Sequence, residues 1–411
     1  MPALYRSFRS SVPWLILSLE AVFMALFYLL FPDSQKRGLL ESLYCSSALF
    51  CHTDLQDVSH MLIFGFGFFL TFLKRYSFSS TGFNLLIIAL GIQCSILVEN
   101  VLVFLTERII PIPGEGELSS MVEAAVSMIA VVISIGAVLG KINPMQSIVM
   151  IVVEIIVFYV STWINRQFLE VQQRMCMMHV HLFGAYFGLA VSSRFSEPSP
   201  NSEKNASTPK SDLLSMLGTL FLWVFWPSFN SILAFEKEKA IINTCLALAV
   251  SAVTAFTLSG LTTKDGKFRM AHIHSAALAG GVTIGYAADS IMSPWIAMIL
   301  GLLASVISIV GSFCLQNCLN PTLKIHDASG VHFTFGLPAV LGALTQVVFL
   351  VIDIQAGLPS SDYVVILRIG AFCFTVSVAL IAGFLTGFIL NFRLLKPIPA
   401  SKYFEDQNYW E

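Results

Sequence analysis

Charge is what this chain has least of: Asp, Glu, Lys and Arg make up 12% of its 411 residues, against 56% hydrophobic. So few ionic groups cannot cover the surface of a water-soluble domain. A net charge of −2, with no basic cluster longer than a few residues, excludes a nucleic-acid-binding surface. The chain also lacks a glycine-rich phosphate loop, a nucleophile elbow and any polar stretch long enough to fold as a soluble catalytic domain. An ATP-driven pump and an enzyme are therefore both set aside. Cysteine is scarce, with 8 residues in all. Only Cys45 and Cys51 share an expected outer loop, where an oxidising environment permits a disulfide. No Cys or carboxylate stands at ligand spacing beside the histidine pairs, so neither a metal nor another cofactor is expected.

What is present is apolar sequence in helix-sized runs, each of roughly 18 to 25 residues, the length that crosses ~30 Å of hydrocarbon. Twelve are drawn: 12–31, 57–73, 83–104, 120–139, 145–164, 176–193, 213–234, 240–260, 270–288, 294–315, 331–352 and 363–392. Asn320, Pro321, Gly330 and Pro338 interrupt the pattern between the tenth and the eleventh. The first contains Glu20 and has no small-residue cleavage site after it, so it reads as a retained helix. An even number of spans puts both termini on one side. Of 23 Lys and Arg, 15 then lie on the side of the termini and 7 on the other, with Arg368 inside the last span, which places the termini in the cytoplasm. The expected organisation is a cytoplasmic N-terminus (1–11), a membrane domain (12–392) and a cytoplasmic tail (393–411). The single sequon, at Asn205, falls in a Pro/Ser-rich linker (195–211) on the cytoplasmic side, so no N-glycan is expected there.

Ionisable residues inside apolar spans are functional candidates by default. His179 and His181 are two residues apart, so on a helix they point to nearly opposite sides and only one of them faces a common lumen. The same holds for His272 and His274. The blander reading of each is an imidazole bonded across a helix interface. Glu20 and Glu154 lie inside spans, Glu99 and Glu123 near span ends; interface bonding, a base such as Arg368 as partner, and cation binding all remain open for them. Small-residue runs at Gly136–Gly140 and Ala276–Gly281 read as close helix packing. Trp14, Trp163 and Trp295 read as interface anchors, and Trp223 and Trp226 as packing between helices.

Several strings together resemble the Rh branch of the ammonium transporter superfamily. They are Gln56-Asp57-Val58, the segment Phe64 to Asn84, GAVLGK (136–141), FGAYFGL (183–189), FWPSFNS (225–231), ALAGGV (277–282) and YFEDQNYW (403–410). They occur in family order and span nearly the whole chain. The resemblance implies an all-α membrane protein of about twelve transmembrane helices, ten of them in two inverted five-helix repeats around a narrow pore, assembled as a homo- or hetero-trimer. In conducting members of this family two lumen histidines, one from each repeat, offer donors and acceptors to ammonia as it sheds water. His181 matches the first of them. Phe335 stands where the second is expected, with His332 three residues earlier. The acidic position eight residues before His181 is Gln173. Of the phenylalanines that gate the pore from outside, Phe225 and Phe229 remain, while Met121 to Ile135 contains none.

Within the family this pattern resembles the Rh blood-group polypeptides of the D/CcEe type, although retention of His181 departs from it. The resemblance implies a plasma-membrane protein of the red cell with little transport of its own. Its partners would be the Rh-associated glycoprotein and a membrane-skeleton adaptor such as ankyrin, contacted through the tail around Phe404, Glu405 and Asp406; the bland reading of that tail is a segment packed under its own bundle. The alternative is a functional channel for ammonia or carbon dioxide.

Overall fold

The computed structural model describes residues 3–30, 45–107, 117–198, 203–232, 234–263, 265–312, 325–356 and 362–410, with the backbone alone for 3–10, 45–51, Glu107, Glu117, Arg174 and Glu203. Cys45 and Cys51, and hence their pairing, lie outside the described side chains. Every regular element described is helical. α1 spans Ala3–Leu30, and α2, Cys45–His60, continues through a π-turn at Met61–Phe66 to Phe72. α3 is Ser77–Glu107, α4 Glu117–Val138 and α5 Pro144–Phe168. The next span is broken at His179 into α6 (Gln173–Met178) and α7 (Val180–Ser192). The second half repeats the plan with α8 (Pro209–Ser231), α9 (Lys237–Thr262), α10 (Met270–Ile284), α11 (Pro294–Val310) and α12 (Leu337–Gln355), the last preceded by a π-turn at His332–Gly336. α13, Asp362–Leu390, closes the bundle.

Ten of these stretches are long and apolar enough to cross a membrane. α10 and α11, of 15 and 17 residues, occupy the ninth and tenth expected positions as shorter helices. The expected 270–288 span stops at Ile284, because Gly285 opens a turn whose backbone is held by Asn243, whose Nδ2 donates to the carbonyls of Ala288 (2.8 Å) and Ile291 (2.9 Å). Helix starts follow capping chemistry. Asn143 and Gln146 bond each other's backbone ahead of Pro144, and Thr208 and Ser211 do the same ahead of Pro209.

Hydrocarbon offers no hydrophobic reward for joining two apolar helices, so close packing and internal hydrogen bonds hold them. Gly184 and Gly188 bring α7 onto the backbone of α4, where any Cβ would collide with Ala130 and Ser134. In the second half Gly280 and Gly301 bring α10 and α11 against the same residue of α9, Ala247. Buried polar side chains are bonded between helices: Asn84 Nδ2 donates to the Leu62 carbonyl (3.0 Å), Asn165 Nδ2 to Thr375 Oγ1 (3.0 Å) and Ser134 Oγ to Glu154 Oε2 (2.5 Å). Glu20 accepts from Gln93 across α1 and α3 (3.2 Å). Arg368 reaches the backbone carbonyl of Glu170, not any of the four carboxylates weighed from the sequence.

The tail folds back under this bundle. Phe404 is buried and held in a left-handed conformation, with its N–H bonded to the carbonyl of Gly140, itself at φ 75°. The Asp406 carboxylate accepts the Phe78 and Ser79 N–H groups (3.0 and 2.8 Å), so it neutralises the positive end of α3. Trp410 Nε1 donates to Ser79 Oγ (3.0 Å), and Glu405 pairs with Lys204 (2.6 Å).

Replacing Phe404 with Ala is expected to cost about 3–5 kcal/mol. The measurement is the rate of tryptic cleavage at Lys402 in the detergent-solubilised protein, and an unchanged rate would show that the tail is not held by this ring.

Candidate functional site

The first turn of α7 and the π-turn before α12 bring His181 and Phe335 together at the centre of the bundle. Both are irregular points in their helices: α6 ends with His179 at ψ −7°, and residues 332–336 are wound with π geometry. Irregular winding at membrane depth is tolerated where it lines a cavity or is buried in protein. The break also separates the two histidines as their spacing predicts. The Nδ1 of His179 lies 3.1 Å from Thr375 Oγ1, at an interface, while the ring of His181 faces inward.

His181 is 1% exposed, and no side chain hydrogen-bonds either of its ring nitrogens; its polar neighbour is the backbone of Met178. Its surroundings are aromatic. The Phe335 ring lies nearly parallel to it, 6.4 Å away at 9°, and Trp226 stacks at 5.7 Å and 19°. Phe229 meets it edge-on at 5.6 Å. Behind Phe335 stand Phe66 at 5.9 Å and Phe69 at 6.1 Å, and Trp226 at 6.5 Å completes the contact. Trp226, Phe66, Phe69, Phe229 and Phe335 are all buried. One imidazole therefore stands in a plug of packed rings.

Not every residue expected at the lumen is there. Phe225 is one position from Trp226, about 100° around the helix, and stacks on His60 of α2 at 4.9 Å, so it belongs to the α2–α8 face and not to the lumen. His332 lies against Tyr186 at 5.9 Å and Phe333 at 4.9 Å, and its backbone N–H donates to Asp327; no ring contact joins it to His181. Gln173 is at the start of α6, where its Nε2 donates to Glu123 Oε2 at 2.6 Å, so a carboxylate stands beside the position from which the acid is missing. Sequence reasoning assigned Trp226 to interhelical packing and passed over Phe66 and Phe69. The i, i+3 spacings of Phe66 with Phe69 and of Trp226 with Phe229 put each pair on one helix face, a signal available in the sequence.

On the face that carries the tail, the turn between α4 and α5 buries Lys141 completely. Its Nζ donates to Ser192 Oγ (2.7 Å) and to the carbonyl of His326 (2.5 Å), so one amine joins the ends of α4 and α7 to the segment leading into the Phe335 turn. Burial lowers the Lys141 ammonium to about 7, against the opposing pull of Asp327 and Glu197. Burial and then Lys141 hold His326 down at about 3. Burial raises Asp327, opposed by the N–H groups of His332 and Val331 that its oxygens accept.

With this geometry in view, the likeness to known proteins is specific. The Ammonium Transporter Family profile matches residues 21–407. The RH-like protein of Macaca mulatta is 40% identical over 416 residues, covering 99% of this chain and 97% of its own length. The blood group Rh(D) polypeptide of Homo sapiens is 38% identical with the same coverage. Among solved structures, Rh50 of Nitrosomonas europaea superposes with a TM-score of 0.75 at 29% identity, covering 89% of this chain and 92% of that one.

The Lys141 site generates a pH dependence. Its folded value lies below that of the unfolded chain, so the unfolded chain binds more protons between about pH 7 and 10.5, and stability rises with pH through that window. Melting followed by tryptophan fluorescence in detergent should shift upward from pH 7 to 10, and Lys141→Met should flatten the rise. An equal slope in the variant would rule out Lys141 as its source.

Proposed function

The chain belongs to the ammonium transporter family, among its Rh polypeptides, and from that premise we propose that it is a subunit of an Rh complex whose own lumen is closed to ammonium. The observation that carries this reading is the parallel packing of Phe335 against His181, backed by Trp226, Phe66 and Phe69. A solute passing there must give up water and finds one imidazole and four apolar ring faces. Each hydrogen bond left unmade costs about 1–3 kcal/mol, and the rings must also part to let it through. In this reading the protein sits in the red-cell plasma membrane with its termini cytoplasmic. It assembles as a trimer with the Rh-associated glycoprotein and is tied to the membrane skeleton through an adaptor such as ankyrin.

The packed tail narrows where that adaptor would bind. With Phe404 buried and Asp406 engaged at α3, the surface offered is the outer side of the tail, including Trp410 at 38% exposure, together with Phe392 and Leu394 on the short turn after α13. One observation favours the alternative of a functional channel for ammonia or carbon dioxide. No side chain engages the ring nitrogens of His181, as expected of a solute-binding group, and an apolar gas needs no second imidazole.

The deciding experiment is ammonia-driven internal alkalinisation of proteoliposomes carrying this chain alone, beside empty vesicles. Wild type is expected to match empty vesicles, and Phe335→His to raise the rate by roughly tenfold or more, corresponding to about 1.4 kcal/mol or more off the barrier. Wild-type flux well above background that disappears in His181→Ala would replace the subunit reading with the channel.

A further inference from the structure

Below the aromatic plug, on the face that carries the tail, the lumen opens into a cavity of ≈ 340 Å³. The plug adjoins its lining. His274 lies edge-on to Phe69 at 5.2 Å, Phe69 packs on Phe335, and Thr334, the neighbour of Phe335, lines the wall. A passage closed at one end is a pocket, and charged and hydroxyl-bearing side chains stand in its lining.

Three features of that lining point to one kind of ligand. The first is unmet hydrogen-bonding capacity: Thr334 Oγ1, Ser329 Oγ and the Nδ1 atom of His272 have no partner in the protein, and Thr334 and Ser329 are each more than nine-tenths buried. Buried polar groups in native proteins are almost always bonded, so such a concentration marks a place where something else supplies the partner. The second is the start of α10, a 15-residue helix whose first turn lines the pocket with Ala271 and His272 and which has no side-chain cap. The His272 and Ile273 N–H groups donate to the Arg269 carbonyl, and the N–H groups of Met270 and Ala271 with the helix dipole favour an anion. The third is Arg269 at the rim, whose guanidinium has no ion-pair partner among the described residues.

The one acid in the lining, Asp327, is already engaged: its two oxygens accept the Val331 and His332 N–H groups at 2.9 and 2.8 Å, and the Lys141 ammonium stands close enough to oppose its charge. It leaves room for a ligand of one negative charge and disfavours two. The forked geometry of arginine matches a planar carboxylate-like group, and hydroxyls complete its coordination.

We propose that this blind pocket is a binding site for a small, singly charged, planar oxyanion of the bicarbonate or carboxylate class. Arg269 and the start of α10 hold the charge, and the hydroxyls of Ser329 and Thr334 take the remaining oxygens. The site does not depend on whether the lumen above it conducts, because the plug lies between them.

The test uses the full-length protein in detergent, titrated separately with sodium bicarbonate, sodium acetate and sodium sulfate at ionic strength held constant with sodium chloride. Melting by tryptophan fluorescence and ¹³C line broadening of labelled bicarbonate and acetate are the readouts. Saturable binding of both monoanions is expected, weakened at least tenfold by Arg269→Gln, with sulfate at the chloride baseline. Should Arg269→Gln fail to elute as a single species, Ser329→Ala serves instead, with several-fold weakening expected. The absence of saturable monoanion binding to wild type, equal binding by the variant, or sulfate binding as tight as acetate overturns the proposal.

Discussion

A polar group that surrenders water inside hydrocarbon must find its partner within the protein, and this constraint organises the whole bundle. It explains why Asn84, Asn165 and Asn243, each buried, are spent on carbonyls or hydroxyls of neighbouring helices and not left to face lipid. It also explains why irregular winding at membrane depth is set against packed protein, as at the π-turn of α2, the break at His179 and the π-turn before α12. The last two of these sites present a side chain to the lumen, one from each half of the chain. Two departures from the α-helical ladder thus meet at the lumen, and what happens there depends on the two side chains presented, His181 and Phe335.

Between those two side chains the constraint is met in an unequal way. Phe335 has no polar atom to satisfy, and its parallel contact with His181 and Trp226 is the kind of offset ring packing that is stable in its own right. His181 has two nitrogens and finds no side-chain partner for either. A histidine pair would let each imidazole serve the other's solute; a histidine facing phenylalanine keeps the cost of a buried polar group without the second contact that makes a relay. The substitution at one position therefore changes the roles of several others. Trp226, Phe66 and Phe69 close around Phe335 and become a wall.

The helical spans were legible because apolar length is a one-dimensional property, and twelve runs appear in the structure in the expected order. The exceptions are physical. α10 stops four residues short of its expected end because Asn243 ties up the carbonyls of the turn beyond it, a contact between residues 45 and 48 positions apart. Opposed directions for His179 and His181 followed from helix geometry and hold. Placement of His181, Phe335 and Phe229 together came from likeness to a family, whereas Phe225 needed the three-dimensional rotation of α8 to be assigned to the outer face. The burial of Phe404 was not readable, since it depends on a left-handed backbone meeting Gly140 across more than 260 residues. Sequence spacing showed which faces a residue shares with its own helix and was silent on which helix covers that face.

Lys141 shows how the two ends of the lumen are joined to the rest. Its amine bonds the end of α7 and the segment entering the Phe335 turn, the two elements that also carry His181 and Phe335 about one helix length above. Phe404 packs on Gly140, the neighbour of Lys141, and approaches the ring of His326 at 6.2 Å, so the tail encloses the same junction from outside. A buried amine in such a place is expensive to keep and is retained when it fixes geometry. Here it fixes the register of the two lumen-bearing segments against each other. The Asp327 turn, held on one side by Lys141 and on the other by the N–H groups it caps, sets where Phe335 sits beneath His181. Plug, polar pocket and docked tail are then three surfaces that meet at one junction.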